Sequence, residues 1–186
     1  RMSTCPRPST TPFNTFQHQS FQILLYSGSA VNANTKPQNQ QMGGIFSYLF
    51  TQLGFTPDKS ASLVVVGLDN AGKTTLLTKL STGKLSTSLP PTKRAVDETF
   101  HLGGITFKAW DLGGHEAVRH LWSDYSTKSD GIVFMVDATD PRRFQESGEE
   151  LEMLLIDLYE TQKNNNDGDE TRPTPIVILL NKYDQD

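Results

Sequence analysis

The segment Ser62–Leu80 constrains this chain more than any other part of it. Ser62-Leu63-Val64-Val65-Val66 is a short apolar run rich in β-branched residues, as a buried parallel strand should be. Gly67-Leu68-Asp69-Asn70-Ala71-Gly72-Lys73-Thr74 follows and fits G-x-x-x-x-G-K-[ST], the phosphate-binding loop. Thr75–Leu80 then carries leucines at helical spacing. A plain glycine turn between a strand and a helix would not need the Lys-Thr pair.

The chemistry asks for this order. Gly67 and Gly72 let the backbone bend and approach a polyphosphate where a Cβ would interfere. Successive N–H groups of the loop and first helical turn, Asp69, Asn70, Ala71 and Thr75 among them, face the anion with the helix dipole behind them. Lys73 sets a point charge against the β/γ-phosphates, and Thr74 offers its hydroxyl to Mg²⁺.

The 186 residues carry a net charge of −4, which gives no support to a nucleic-acid partner. The single cysteine, Cys5, excludes an internal disulfide and fits a reducing compartment. No apolar run has the length of a transmembrane helix. Residues 1–41 lack Asp and Glu and are rich in Ser, Thr, Gln and Asn, so they read as a disordered leader or extension. Within them Phe21–Tyr26 is apolar but short and isolated. Residues 42–57 read as an amphipathic helix, and residues 58–186 as one α/β domain. The chain stops at Asp186, soon after an apolar strand, so the last strand and helix of such a domain are expected to be missing.

Beyond the loop, Thr82–Lys93 reads as a mobile loop ending in Pro90-Pro91-Thr92. Glu98–Leu102 and Ile105–Asp111 flank Gly103-Gly104 as a β-hairpin. A helix is expected from about Glu116 to Tyr125, then a buried strand Gly131–Val136 ending in Asp137. Asp140-Pro141 reads as an N-cap and first-turn proline. The long helix after it presents Phe144, Leu151, Leu154, Leu155 and Leu158 on one face. Asn164–Pro173 is a polar loop, and Pro175–Leu180 a last strand. The alternation implies a mostly parallel sheet with one antiparallel hairpin, covered on both faces, with phosphates at the carboxyl ends of the strands.

Two further motifs narrow the ligand. Asn181-Lys182-x-Asp184 follows the last strand, and a carboxylate there accepts from guanine N1–H and the exocyclic amine together. Adenine offers no such donor pair. Asp111-x-x-Gly114 is the matching element: its carboxylate sits near Mg²⁺, and the Gly114 N–H reaches a γ-phosphate, a bond lost on hydrolysis.

On Gly-Leu-Asp-Asn-Ala-Gly-Lys-Thr-Thr at 67–75, Asp-Leu-Gly-Gly-His at 111–115, Arg119-His120-Leu121-Trp122 with Tyr125, and Val136–Pro141, the chain resembles small GTPases of the Arf/Sar family. Sar-type members are the nearest, and the likeness covers about Met42 to Asp184. It implies the P-loop GTPase (G domain) fold and a GTP hydrolase that binds GTP or GDP with Mg²⁺. It also implies that Thr92 joins the metal only with GTP bound and that His115 orients the attacking water. A guanine nucleotide exchange factor, a GTPase-activating protein and coat subunits are the implied partners. Action is implied in vesicle coat assembly in endoplasmic reticulum-to-Golgi transport, on the cytoplasmic face of endoplasmic reticulum or Golgi membranes and cycling with the cytosol.

Met42-Gly43-Gly44-Ile45-Phe46-Ser47 fits the N-myristoylation pattern if Met42 is the start, and Ile45, Phe46, Leu49, Phe50 and Leu53 line one stripe. Met42–Phe55 is thus a candidate contact with a membrane surface, an Arf-like feature beside the Sar-like Asp-Leu-Gly-Gly-His. The alternatives are an Arf-like Golgi GTPase, a GTP-binding receptor or scaffold subunit that hydrolyses little, and a generic P-loop ATPase.

Overall fold

A computed structural model describes residues 14–18, 21–26, 60–84, 92, 95–102, 105–165 and 174–182. Its strands are β1 (Asn14–His18), β2 (Phe21–Tyr26), β3 (Ser60–Val66), β4 (Val96–Leu102), β5 (Ile105–Asp111), β6 (Gly131–Asp137) and β7 (Ile176–Asn181). The helices are α1 (Lys73–Thr82), α2 (Glu116–Arg119), α3 (Leu121–Ser126) and α4 (Phe144–Asn165), the last entered through a 3-10 turn at Pro141–Arg143.

One sheet runs in the order β1-β2-β7-β6-β3-β5-β4. Its centre is parallel: β3 pairs with β5 and β6, and β6 with β7. The hairpin of β4 and β5 is antiparallel, with Leu102 opposite Ile105. The parallel centre with this hairpin is the arrangement expected from the sequence, and β1 and β2 add antiparallel pairs beyond it.

The period-2 geometry of β3 divides the core. Leu63 and Val65 face a cluster with Leu76 and Leu77 of α1, Phe100 and Phe107. Val64 and Val66 face Trp122, Phe134, Leu154 and Leu158, beneath α3 and α4. Each wholly buried aliphatic side chain contributes about 1.5–3 kcal/mol, so the loop that follows β3 starts from a fixed point. At the other end of β3, the Asp130 carboxylate accepts from Ser62 N–H and Oγ, both at 2.7 Å, fastening β6 beside it.

Several local expectations change. Residues 14–18 and 21–26 are strands, not disordered chain. β2 pairs in antiparallel register with β7, from Phe21 opposite Asn181 to Tyr26 opposite Ile176. An apolar run that looks isolated in sequence finds the open N–H and C=O row of a strand edge. The helix expected over Glu116–Tyr125 is divided at His120. Asp140 makes no side-chain cap; its carboxylate takes the Arg142 Nε–H at 2.9 Å. On α4, Leu154 and Leu158 are buried, but Phe144 and Leu155 are exposed, because the helix turns a narrower stripe to the sheet than its leucines mark. Among the described residues no helix is long and apolar enough to cross a membrane. Met42–Phe55, Gly103-Gly104 and most of the Asn164–Pro173 loop lie outside the described residues.

Candidate nucleotide site

The loop between β3 and α1 turns sharply at Gly67, where φ is 133°. A Cβ there would strike the Met135 carbonyl of β6. The glycine is therefore required by the neighbouring strand, a different reason from the phosphate approach that the sequence reading gave. Asn70 takes the left-handed conformation at φ 63°, which asparagine tolerates better than most residues. The first α-helical bond of α1 runs from Leu76 N–H to Gly72 O at 2.9 Å. The N–H groups of Lys73, Thr74 and Thr75 therefore have no acceptor within the helix and are free for an anion.

Lys73 is buried, and its ammonium donates to the carbonyls of Gly67 and Leu68 at 2.8 Å each. Burial pushes its pKa down to about 8, with the Asp111 and Asp69 charges pulling the other way. A polyphosphate would supply the counter-charge that the loop carbonyls supply only in part.

Thr74, Thr92 and Asp111 meet although they come from three separate segments. Both hydroxyls donate to Asp111 Oδ2, Thr74 at 2.6 Å and Thr92 at 2.9 Å, and the two hydroxyl oxygens lie 2.9 Å apart. Two hydroxyl protons cannot serve all three contacts at once. Asp111 Oδ1 is buried without a hydrogen-bond partner. A hard divalent cation satisfies both conditions, and one carboxylate with hydroxyls suits Mg²⁺, which completes its shell with water and phosphate oxygens. Among the described residues no group of three or more His, Cys, Asp or Glu side chains gathers for another metal.

Gly114 lies against the loop: a Cβ on it would strike the Leu68–Asp69 peptide. His115 follows at the start of α2, exposed and with no side-chain cap bond. On the other flank, Asn181 Nδ2 donates to Ala71 O at 2.8 Å, tying the end of β7 to the loop. Lys182 adopts φ 62° and donates to Asp137 Oδ2 at 2.7 Å. Burial pushes the Asp137 carboxyl up, but hydrogen bonds from Lys182 and Thr139 more than offset it, leaving its pKa below the ordinary value. Asp184 lies outside the described residues.

Sequence reasoning assigned no role to several residues that the structure brings here. Asp137 was read only as a strand end. The Asp69 carboxylate is paired with Arg143 at 3.0 Å. Arg143 also binds Glu146 at 2.7 Å, and Glu146 and Glu150 each bind Arg119 at 2.6 Å. Arg143 first, then Arg119, holds the Glu146 carboxyl down to about 2. No local pattern marks this network as a whole, since its members stand on the loop, α2, the 3-10 turn and α4.

A β-strand, a G-x-x-x-x-G-K-T loop with its buried lysine, and a Thr-Thr-Asp oxygen cluster define a P-loop nucleotide-binding domain. The ADP-ribosylation factor family model matches residues 46–186, and the chain belongs to that family of Arf/Sar small GTPases. It is 47% identical over 126 residues to "Small COPII coat GTPase SAR1" of Giardia intestinalis, covering 68% of this chain and 60% of that protein. It is 37% identical over 145 residues to an ADP-ribosylation factor of Encephalitozoon cuniculi (strain GB-M1), covering 77% of this chain and 64% of that one. The chain thus spans about three-fifths of the length of these curated relatives. A solved structure of the Arl6 BBS3 small GTPase from Trypanosoma brucei with bound GppNp shares 31% identity at a TM-score of 0.47, covering 54% of this chain and 58% of that one.

Proposed function

We propose that this chain is a GTP-binding, GTP-hydrolysing switch recruited to membranes to start vesicle coat assembly in transport from the endoplasmic reticulum to the Golgi. The meeting of Thr74, Thr92 and Asp111 beside the buried Lys73 carries the reading. It joins the loop, the segment after Thr82 and the end of β5 at one point, where a γ-phosphate and its metal can hold them together. Gly67, Asp69, Asn70, Ala71, Gly72, Lys73, Thr74 and Thr75 line the phosphates, with Gly114 on the γ side. Asn181, Lys182 and Asp184 select guanine. Mg²⁺ held by Thr74, Thr92 and Asp111 would neutralise charge on the phosphate oxygens. His115, exposed beside Gly114, orients the attacking water.

The coat assignment draws on the 47% identity to a protein named as the small COPII coat GTPase, and on Asp-Leu-Gly-Gly-His. An exchange factor, a GTPase-activating protein, coat subunits and a membrane surface at Met42–Phe55 come with it. The Met42-Gly43 motif and the 37% identity to an ADP-ribosylation factor favour an Arf-like Golgi protein as the second reading. Detecting a myristoyl group on Gly43 in cells would select that second reading.

The test is nucleotide competition and single-turnover hydrolysis on the full-length protein. GTP and GDP should displace a labelled guanine nucleotide where ATP does not, and Asp184→Asn should erase that preference. His115→Leu should slow hydrolysis in the presence of an activator while leaving GTP affinity near that of the wild type. Equal competition by ATP, unaltered in Asp184→Asn, overturns the guanine assignment; an unchanged rate in His115→Leu removes the histidine from catalysis.

A further inference from the structure

The Asp111-x-x-Gly114 turn is gripped from outside the nucleotide site. Trp122 is buried and donates its indole N–H to Gly113 O at 3.0 Å, with its ring edge-on to Phe134 at 6.1 Å in the core. Arg119 donates Nε–H to Gly114 O at 2.9 Å. Consecutive carbonyls are thus held by two side chains from the residues just beyond.

Peptide geometry turns that grip into aim. The described peptides are trans, so the Gly114 N–H points opposite to the Gly113 carbonyl. With that carbonyl fixed on the buried indole, the N–H is directed outward from the opposite edge of the peptide unit. Gly114 itself abuts the Leu68–Asp69 peptide, so its position is fixed against the loop as well.

The guanidinium is itself restrained. Its Nη1 and Nη2 donate to Glu150 and Glu146 at 2.6 Å each, and the side chain is 9% exposed. Two carboxylates on one face of α4 hold the fork, and the third donor direction is left for Gly114 O. An ion pair serving stability alone would not require that third bond. Glu146 is shared with Arg143, whose other end holds Asp69 in the loop. The chain of charges therefore runs from the loop through α4 to the turn.

We infer that Arg119 and Trp122 are positioning residues for the γ-phosphate: they clamp the peptides on either side of Gly114, and α4 anchors the clamp through Glu146 and Glu150. The inference rests on the reading of the site as a GTP switch. Its consequence is selective, because a diphosphate has no use for the Gly114 N–H. Loosening the clamp lowers affinity for triphosphate and spares affinity for diphosphate.

The experiment measures equilibrium binding of GDP and of the non-hydrolysable GppNp to the full-length protein and four variants. Trp122→Phe keeps the ring and removes the donor; Arg119→Met keeps the stem and removes the fork. Each should weaken GppNp about tenfold, the worth of one hydrogen bond to a defined group, with GDP within about twofold. Arg119→Lys should recover part of the loss, since an ammonium keeps a donor but not the fork. Glu150→Gln should shift the ratio the same way by less, because Glu146 still holds Arg119. Equal losses for both nucleotides would reduce the clamp to a general role in stability, and unchanged affinities for both in all variants would remove it altogether. A wild type that binds neither nucleotide overturns the GTP reading itself, and the inference with it.

Discussion

Asn181 reaches the phosphate loop from the end of a buried parallel strand, whereas Thr92 reaches it from a segment joined to the site by hydroxyl contacts. On the Asn181 side, the tie to Ala71, the Lys182–Asp137 pair and the Ala138 N–H to Asn181 O bond at 2.9 Å all spring from β6 and β7, which share a core. On the Thr92 side, two hydroxyls share one carboxylate oxygen whose partner oxygen is unpaired. Bonds anchored in strands persist when a ligand leaves. Bonds among side chains at a partly exposed surface rearrange at small cost, which is what the switch role proposed for Thr92 needs.

Substitutions can test whether the two flanks are so unlike. Lys73→Ala removes a group common to both and should lower affinity for GDP and GTP alike by about 100-fold, as the loss of a charged hydrogen-bonding partner requires. Equilibrium titration would show it; a loss confined to GTP would break the assignment of Lys73 as the shared anchor. Thr92→Ala touches one flank. It should cost about tenfold in GppNp affinity and little in GDP affinity, and Mg²⁺ chelation should make the variant and wild type converge.

Asp137→Asn touches the other flank. It should lower stability by about 1 kcal/mol, read as about 2–4 °C in Tm, and weaken both nucleotides equally. A GTP-selective effect would contradict the comparison.

The titration of Lys73 gives a finer test. Its folded pKa of about 8 lies below its usual value of 10.5, so between those limits the unfolded chain binds more protons. Stability of the nucleotide-free protein therefore rises with pH across that window, where the penalty on the buried ammonium is relieved. Nucleotide binding restores the charge, so affinity should fall above pH 8, with proton uptake measurable by calorimetry in buffers of different ionisation enthalpy. Absence of uptake would place Lys73 away from the phosphates. The smallest effect belongs to the exposed Lys108–Asp97 pair at 3.7 Å; Lys108→Ala should move Tm by less than about 2 °C and affect neither nucleotide.

Sequence made the strand–loop–helix unit and the β4–β5 hairpin readable because each is a local pattern, complete within a few residues. Thr74 and Asp111 were legible for the same reason, and Thr92 through the Pro-Thr that the family resemblance brings out. Contacts between elements distant in sequence were not. Arg119 meets Glu146 and Glu150 only after β6 and the turn of α4 are in place, and the pairing of β2 with β7 spans most of the chain. Gly67 was legible as a glycine but not for its reason, since the atom that excludes a Cβ belongs to Met135. Phe144 and Leu155 were read on the apolar face of α4 but are exposed, because helical periodicity marks such a face without its width.

Lys182 holds a backbone conformation at φ 62° that costs an ordinary side chain about 1 kcal/mol and glycine almost nothing. Lys182→Gly would relieve that cost but surrender the 2.7 Å bond to Asp137, which is worth about as much, about 1 kcal/mol, so stability should scarcely move. The Asn181 tie to Ala71 would stay in place while the Lys182 ammonium was lost from that flank. A screen on Tm alone would therefore be blind to this position, and a selection scheme has to follow nucleotide binding in the same round as Tm.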